Sequence, residues 1–311
     1  MRIEAEYVVP LKAAAPDHAL AAHLGALVET IDVTVVDGSP ADVRAEHRRL
    51  FDERVRLLEP EPWPGRNGKV AGVMTGVRAA RHPLVVLADD DVRYTDSSLR
   101  AVVAALGDAD VVAPQNHLVP PVWHARWDTA RTLVNRAFGT DYPGTFGLRR
   151  DTLLGAGGYD GDVLFENLEL IRTVRAAGGA VRHLPALFVE RRSPDAAHFL
   201  GQRVRQAYDD FAQPGRLAAE LALLPVAVLL RRRAALLPVA AVLAAEVGRR
   251  RNGGRRVFGP TAALWAPLWL AERAVCVWLA LGWRLLGGVP YAGSRLTRAA
   301  TPRRVLRRRF G

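Results

Sequence analysis

The stretch Val85-Val86-Leu87-Ala88-Asp89-Asp90-Asp91 constrains this chain more than any other. Its apolar residues read as a buried strand, which runs straight into three adjacent carboxylates. Like charges this close repel one another, so something positive must neutralise them, most simply a divalent cation. Alternation along an extended segment points Asp89 and Asp91 to the same side. Hard oxygen ligands in a pair suit Mg²⁺ or Mn²⁺, ions that keep several waters and share coordination with substrate phosphates. Carboxylates at the C-terminal end of a strand also sit where open α/β sheets bind ligands. The plainer reading is a solvated acidic turn, and the surrounding pattern argues against it.

That pattern is a regular alternation of strand and helix. Tyr7 to Pro10 and Ile31 to Val36 read as strands, the second ending in the turn Asp37-Gly38-Ser39-Pro40. Leu20, Leu24 and Leu27 give one helix a narrow apolar face. A charged helix from Asp42 to Leu50 leads to a short strand at Val55 to Leu58 and a Pro/Gly loop from Pro60 to Gly68. Val70, Val73, Met74 and Val77 then fall at helical spacing just before the acidic strand. Ser97 to Leu106 reads as helix, Asp110 to Ala113 as strand, Leu184 to Glu190 as a late strand. This rhythm calls for an α/β fold, a mostly parallel sheet with helices on both faces.

Charge divides the chain. Residues 1–210 hold 25 Lys/Arg against 29 Asp/Glu, whereas residues 211–311 hold 18 against 3. In the basic part the arginines flank long apolar runs, which favours an anionic membrane surface over nucleic acid. Leu217 to Leu230 and Ala234 to Val247 are runs of 14 residues, short of the ~20 a straight span needs. A hairpin through the bilayer would put Arg231–Arg233 and Arg249–Arg256 on opposite sides, against the positive-inside tendency. These two runs are therefore expected to lie along or dip into the cytoplasmic leaflet. The third, Ala262 to Val289 with Trp265, Trp269, Trp278 and Trp283, is the best candidate for a true span. After Tyr291, Arg303, Arg304 and Arg307–Arg309 suggest a solvated basic tail. Cys276 is the single cysteine, which excludes an intrachain disulfide and fits a reducing compartment. The acidic N-terminus shows no export signal.

Several motifs now fall in a known order. Val35-Val36-Asp37-Gly38-Ser39, Asn67-Gly68-Lys69, Asp89-Asp90-Asp91, Glu166-Asn167-Leu168-Glu169-Leu170 and Gln202-Arg203-Val204-Arg205-Gln206 together resemble the inverting family 2 glycosyltransferases of GT-A fold. The last motif is similar to that of membrane-bound members, the cellulose synthase-like and ceramide glucosyltransferase-like enzymes. The resemblance covers roughly residues 5 to 210. It implies a catalytic domain over 1–212, while the apolar runs and the arginines after them mark a membrane-associated helical region over 213–290 and a basic tail over 291–311. It also implies that Asp89 and Asp91 hold Mg²⁺ or Mn²⁺ on a nucleotide-diphosphate sugar. Asp37 would bind the base with Lys69 close by, Pro10 would underlie the nucleotide, and Asp90 would lie near the ribose. Gly147 belongs to a glycine-marked segment, Gly144 to Gly147, where backbone approaches a ligand closely. Gln202 and Arg205 would meet the diphosphate or the acceptor, and arginine's planar fork suits phosphate.

Two departures follow. The family's catalytic base is usually an aspartate, and Asn167 stands at that position. An amide cannot change protonation state near working pH, so Glu166 or Glu169 is expected to take the role, with Glu166 favoured. The tryptophan of the last motif is replaced by Gln206, which argues against processive polymer synthesis. Three rival readings compete with this one. A phosphohydrolase of the haloacid dehalogenase type fits Asp89 to Val92, but needs a lysine after its nucleophile; the only lysines, Lys12 and Lys69, precede it. A GT-A-like nucleotidyltransferase lacks its glycine-rich loop after Val9. A catalytically inactive sugar-nucleotide-binding scaffold draws support from Asn167 alone. The expectation is a membrane-associated, metal-dependent, inverting glycosyltransferase with its catalytic domain on the cytoplasmic side. It would transfer a sugar from a nucleotide-diphosphate donor to a lipid or lipid-linked acceptor, with no nucleic-acid partner.

Overall fold

Apolar runs dictate where the sheet forms. A computed structural model describes residues 2–291 and 293–311. The first half alternates as the sequence pattern requires: β1 (Glu6–Leu11), α1 (His18–Leu27), β2 (Asp32–Asp37), α2 (Ala41–Leu50), β3 (Arg56–Leu58), α3 (Gly68–Ala79) and β4 (Leu84–Ala88). Strands β1, β2 and β4 are buried on both faces, as parallel sheets between helix layers must be. Polar caps fix where helices start. Asp17 accepts from the Ala19 and Leu20 amides, Asn67 accepts from the Lys69 amide, and Thr95 and Ser98 form a capping box. Helix α3 sits unusually close to β1 because Gly76 faces Val8. A Cβ on Gly76 would lie 2.3 Å from Val8 Cγ1.

The second half adds β5 (Val92–Arg93), α4 (Asp96–Ala104), β6 (Val111–Val119), α5 (Trp123–Phe138), β7 (Thr145–Arg149), α6 (Arg150–Gly155), α7 (Glu166–Ala176) and β8 (Val181–Arg192). The eight strands lie in the order β3-β2-β1-β4-β7-β6-β8-β5. Strands β1 to β4 pair parallel, as does β6 with β8. Strand β7 is antiparallel to both β4 and β6, so the Gly144–Gly147 segment threads the middle of the sheet. Gly147 serves packing there, since a Cβ would come within 2.7 Å of Val112. One apolar core lies on the α1/α4 face and another on the α3/α7 face.

The chain continues through α8 (Ala196–Gly201), α9 (Arg203–Tyr208), α10 (Pro214–Leu230), α11 (Leu236–Arg250) and α12 (Ala266–Leu285). The last three correspond to the three apolar runs. They pack on one another and on the front unit, α11 and α12 against α5, and α12 against α9. Among the described residues, one stretch, Ala262–Leu285, is long and apolar enough to cross a membrane. Its inner face is nonetheless occupied: Arg273 is fully buried against Asp210 and Glu220.

The end of the chain differs from the solvated tail read from its arginines. A hairpin of β9 (Val289–Tyr291) and β10 (Ser294–Leu296) is followed by α13 (Arg303–Phe310), which packs on α7. Arg298 and Ala299 carbonyls accept from the Leu164 and Phe165 amides at 3.0 and 2.8 Å. The physical reason is that Leu296, Ala299, Ala300 and Leu306 are interleaved with the arginines and bury their side chains, leaving the charges outside.

Candidate active site

Strand β4 ends at Ala88 and delivers Asp89 and Asp91 into a cleft of about 440 Å³. Helix α3 starts at Gly68 and aims Lys69 at the same point. Lys69 Nζ lies 2.6 Å from Asp89 Oδ1 and 2.6 Å from Glu166 Oε1, the latter at the first residue of α7. Arg191, from the end of β8, reaches Asp91 Oδ2 at 2.8 Å and Asp89 Oδ2 at 3.2 Å. The carboxylates that demanded a positive neighbour thus have two protein cations beside them. Burial would lower the pKa of Lys69 and of Arg191, but Asp89 with Glu166, and Asp91 with Asp89, hold both cations firmly charged. Asp90 is different. Burial and the adjacent Asp91 and Asp89 push its carboxyl up to about 6, and it does not line the cleft.

Two features leave room for a cation. Asp91 Oδ1 is buried with no hydrogen-bond partner. Gly144 abuts Asp89, where a Cβ would lie 2.5 Å from Oδ2, so only a glycine leaves that oxygen approachable. Among the described residues no cluster of three or more His, Cys, Asp or Glu forms a closed metal cage. An ion held by one or two carboxylates plus substrate phosphates needs no such cage.

The other wall comes from α5 and the α8–α9 segment. Arg131 bonds Asp128 at 3.1 Å and Asp141 at 3.0 Å, and Arg203 reaches Asp128 at 3.1 Å. Burial alone would raise Asp128, but Arg131 and Arg203 hold it far below the usual carboxylate range. The aromatic and basic residues of Trp123 to Arg131 form part of this amphipathic helix: Trp123, His124 and Trp127 pack on Phe199. Gln202 and Arg205 line the cleft. Arg205 has no carboxylate within ion-pair distance among the described residues, and its guanidinium lies over the Tyr291 ring, 5.1 Å from the centroid.

The residues expected from sequence divide into two groups. Asp89, Asp91, Lys69, Glu166, Asn167, Gln202 and Arg205 meet in the cleft, and Pro10 lines a narrow recess beneath Lys69, Asp89 and Asn167. Asn167 donates to the Pro143 carbonyl at 3.0 Å. Asp37, Asp90, Gly147 and Glu169 line neither. Asp37 is buried with both oxygens engaged, by the Ser39 amide and by His47 Nδ1 at 2.6 Å. Glu169 turns inward, where it accepts from the Thr301 amide at 2.6 Å. Gly144, from the glycine-marked segment, abuts Asp89 as a close backbone approach would, whereas Arg191, Asp128, Asp209 and Tyr142 are not singled out by the sequence. For Arg191 a signal existed, since a basic residue ends a strand in a chain that needs a cation near Asp89.

A family model described as glycosyltransferase-like family 2 matches residues 18–208, more than half of the chain. The chain belongs to that family. It is a glycosyltransferase, and the matched span contains every cleft residue named above except Pro10 and Asp209. The fold agrees. A mannosyltransferase, PcManGT from Pyrobaculum calidifontis, solved with GDP-Man and Mn²⁺, is similar over 89% of this chain and 88% of that one, with 17% identity and a TM-score of 0.51. Glucosyl-3-phosphoglycerate synthase from Mycobacterium tuberculosis, solved with Mn²⁺ and UDP-glucose, is more distant: 18% identity, 65% of this chain and 76% of that one, TM-score 0.44. No curated protein matches the sequence.

Proposed function

We propose that this glycosyltransferase moves a sugar from a nucleotide-diphosphate donor to a lipid or lipid-linked acceptor at a membrane surface, inverting the anomeric configuration. The observation that carries the donor reading is the cleft at the end of β4, where Asp91 keeps a buried free oxygen and Arg205, in the same lining, has no carboxylate within ion-pair distance among the described residues. Asp89 and Asp91 would hold Mg²⁺ or Mn²⁺, which when bound neutralises charge on the leaving diphosphate. Arg205 binds the diphosphate from the other side, with the planar fork that phosphate oxygens favour. Glu166 is the carboxylate placed to take a proton from an acceptor hydroxyl. Lys69, 2.6 Å away, fixes its orientation. A single displacement by the acceptor, with no carboxylate acting as nucleophile, accounts for inversion.

The membrane reading draws on the exposed faces of α10 to α12. Val228, Leu229, Leu285 and Leu286 are 71–80% exposed. Arg231 to Arg233, Arg250, Arg255 and Arg256 stand in solvent beside such residues. Apolar side chains ringed by arginines suit the headgroup boundary of an anionic leaflet, with the helices lying on it and residues 1–212 facing the cytoplasm.

Calorimetry tests the donor site. Full-length protein is titrated with UDP- and GDP-sugars, with and without Mn²⁺, beside Asp91→Ala. Mn²⁺-dependent binding of one donor, weakened about 100-fold or more in the variant, is expected from losing a charge-stabilising group in a dry site. A folded protein that binds no donor refutes the reading. Binding without turnover would favour the inactive scaffold that Asn167 suggests.

A further inference from the structure

The cleft does not stop at Asp89 and Glu166. Past Gln206 and Asp209, which line both spaces, it opens into a side chamber of about 140 Å³, roughly ten times what one water needs. The chamber lies where the front unit meets the apolar helices, with Arg216 of α10 and Arg273 of α12 in its walls. Tyr142 and Phe165, edge to face with centroids 4.9 Å apart, supply an apolar side that suits the C–H face of a sugar ring.

Every arginine in these walls already has acidic partners. Arg131 pairs with Asp128 and Asp141, Arg191 with Asp89 and Asp91, and Arg216 and Arg273 both with Asp210 and Glu220. Among the described wall residues, three buried polar atoms lack a hydrogen-bond partner: two oxygens, Gln206 Oε1 and Asp209 Oδ1, and one N–H donor, Arg273 Nε. Such a set calls for groups able both to donate and to accept, as hydroxyls are. Buried acceptors without donors cost free energy until a donor arrives. A phosphate would bring more acceptor oxygens and another negative charge. Burial, Asp210 and Glu166 already push the Asp209 carboxyl well above its usual range. A second anion would meet the same opposition. Hydroxyl groups bring the missing donors.

We propose that this chamber holds the acceptor's headgroup, and that the headgroup is a neutral polyhydroxyl compound, a sugar or similar polyol, whose hydroxyl rather than a phosphate oxygen receives the transferred glycosyl group. The inference rests on the donor reading above. In the step, the hydroxyl oxygen forms a bond to the donor's anomeric carbon. The bond from that carbon to the diphosphate oxygen breaks, and its electron pair leaves with the nucleoside diphosphate. The hydroxyl proton passes to Glu166. A hydroxyl needs such a base, whereas a phosphate oxygen is ionised at neutral pH and does not.

The test gives full-length protein, in a sugar-free detergent with Mn²⁺ and a panel of UDP- and GDP-sugars, two kinds of acceptor probe. One is a set of octyl glycosides (glucoside, mannoside, galactoside), the other farnesyl phosphate. Product on at least one octyl glycoside and none on farnesyl phosphate is expected. Gln206→Ala and Asp209→Ala should each raise the glycoside KM about tenfold, the worth of a buried hydrogen bond, and move the donor KM by a smaller factor. Product on farnesyl phosphate alone overturns the proposal. So does donor hydrolysis that neither probe diverts, or an acceptor KM that both variants leave unchanged. If Asp209→Ala does not fold, Asp209→Asn, which keeps the shape, takes its place. Wild-type protein that neither binds nor hydrolyses any donor instead refutes the donor reading itself.

Discussion

The front unit and the three apolar helices treat charge in opposite ways. Around the cleft, Glu166, Lys69, Asp89, Arg191 and Asp91 form a chain of alternating sign, each link at 3.2 Å or less. Charge there fixes geometry. On α10 to α12 most arginines stand in solvent among exposed leucines and valines, and residues 211–311 have only three acids. All three are used: Glu220 and Glu272 face Arg273, Arg216 and Arg203 at the junction, and Glu246 binds Arg249 and Arg250. The difference teaches where one solvent ends. Cations around the cleft and junction come mostly with counterions, and buried Arg136 with backbone and amide oxygens instead, while most exterior cations on the apolar helices await anions from outside the chain.

The most severe way to break this contrast is to remove an interior cation at the junction. Arg273→Met would leave Asp210 and Glu220 buried against each other, and Glu220 already has its pKa raised by burial and by Asp210. A loss of about 3–5 kcal/mol in urea unfolding is expected, the usual cost of orphaning a buried charge. A cost under 1 kcal/mol would mean that the junction does not depend on this pairing.

The outer face should respond in a different assay. Leu229 and Leu285 are each 80% exposed, so Leu229→Asp with Leu285→Asp should leave the melting temperature nearly unchanged. Burying each leucine in lipid is worth about 1.5 kcal/mol or more, so the pair should weaken binding to phosphatidylglycerol vesicles about 100-fold. Undiminished flotation of the variant would take these leucines out of the membrane contact, and wild-type protein that does not float with the vesicles would remove the membrane from the proposed function.

Much of the front unit was legible because its signals are local. A buried strand that ends in carboxylates, and a helix with Val70, Val73, Met74 and Val77 on one side, need no distant partner to be recognised. The parts that were not legible depend on contacts far along the chain. Glu166 and Glu169 sit three residues apart on α7, yet one faces Lys69 and the other the Thr301 amide, 132 residues away. Nothing near position 169 signals that partner. The docking of the last residues escaped for the same reason, since arginines outnumber the few apolar residues that bury there. Strand β7 runs against its neighbours because it lies between β4 and β6, a placement that hydrophobic pattern does not encode.

A gentler probe of the front unit is acid. His23, near Tyr7 and Arg93, has its pKa lowered to about 4, chiefly by burial and then by Arg93. The unfolded chain takes up this proton near pH 6.5, the folded chain only near 4. Stability from His23 is therefore complete above about pH 6.5 and lost as pH falls toward 4. His23→Gln should flatten that fall by about 1–2 kcal/mol, allowing for partial solvent exposure. An unchanged slope would assign the acid sensitivity to other groups.

The smallest effect is expected where the two regions meet. Tyr291 belongs to the hairpin that follows α12, outside the span matched by the family. Its ring lies against the Arg205 guanidinium, and its hydroxyl donates at 3.0 Å to Asn67, the residue that caps the helix carrying Lys69. A segment beyond the apolar helices therefore touches both sides of the cleft. Tyr291→Phe keeps the ring and loses only the bond to Asn67. Tyr291→Leu keeps the bulk and loses the π face. A cation–π contact is worth about 0.5–1 kcal/mol at a half-exposed site, so the leucine variant should raise the donor KM about three- to fivefold, with kcat less affected and the phenylalanine variant close to wild type. Equal effects from both would place the importance in the hydroxyl and the Asn67 cap. No effect from either would show that Arg205 holds its position without the hairpin, and the contrast between the two regions would then extend to function as well as to charge.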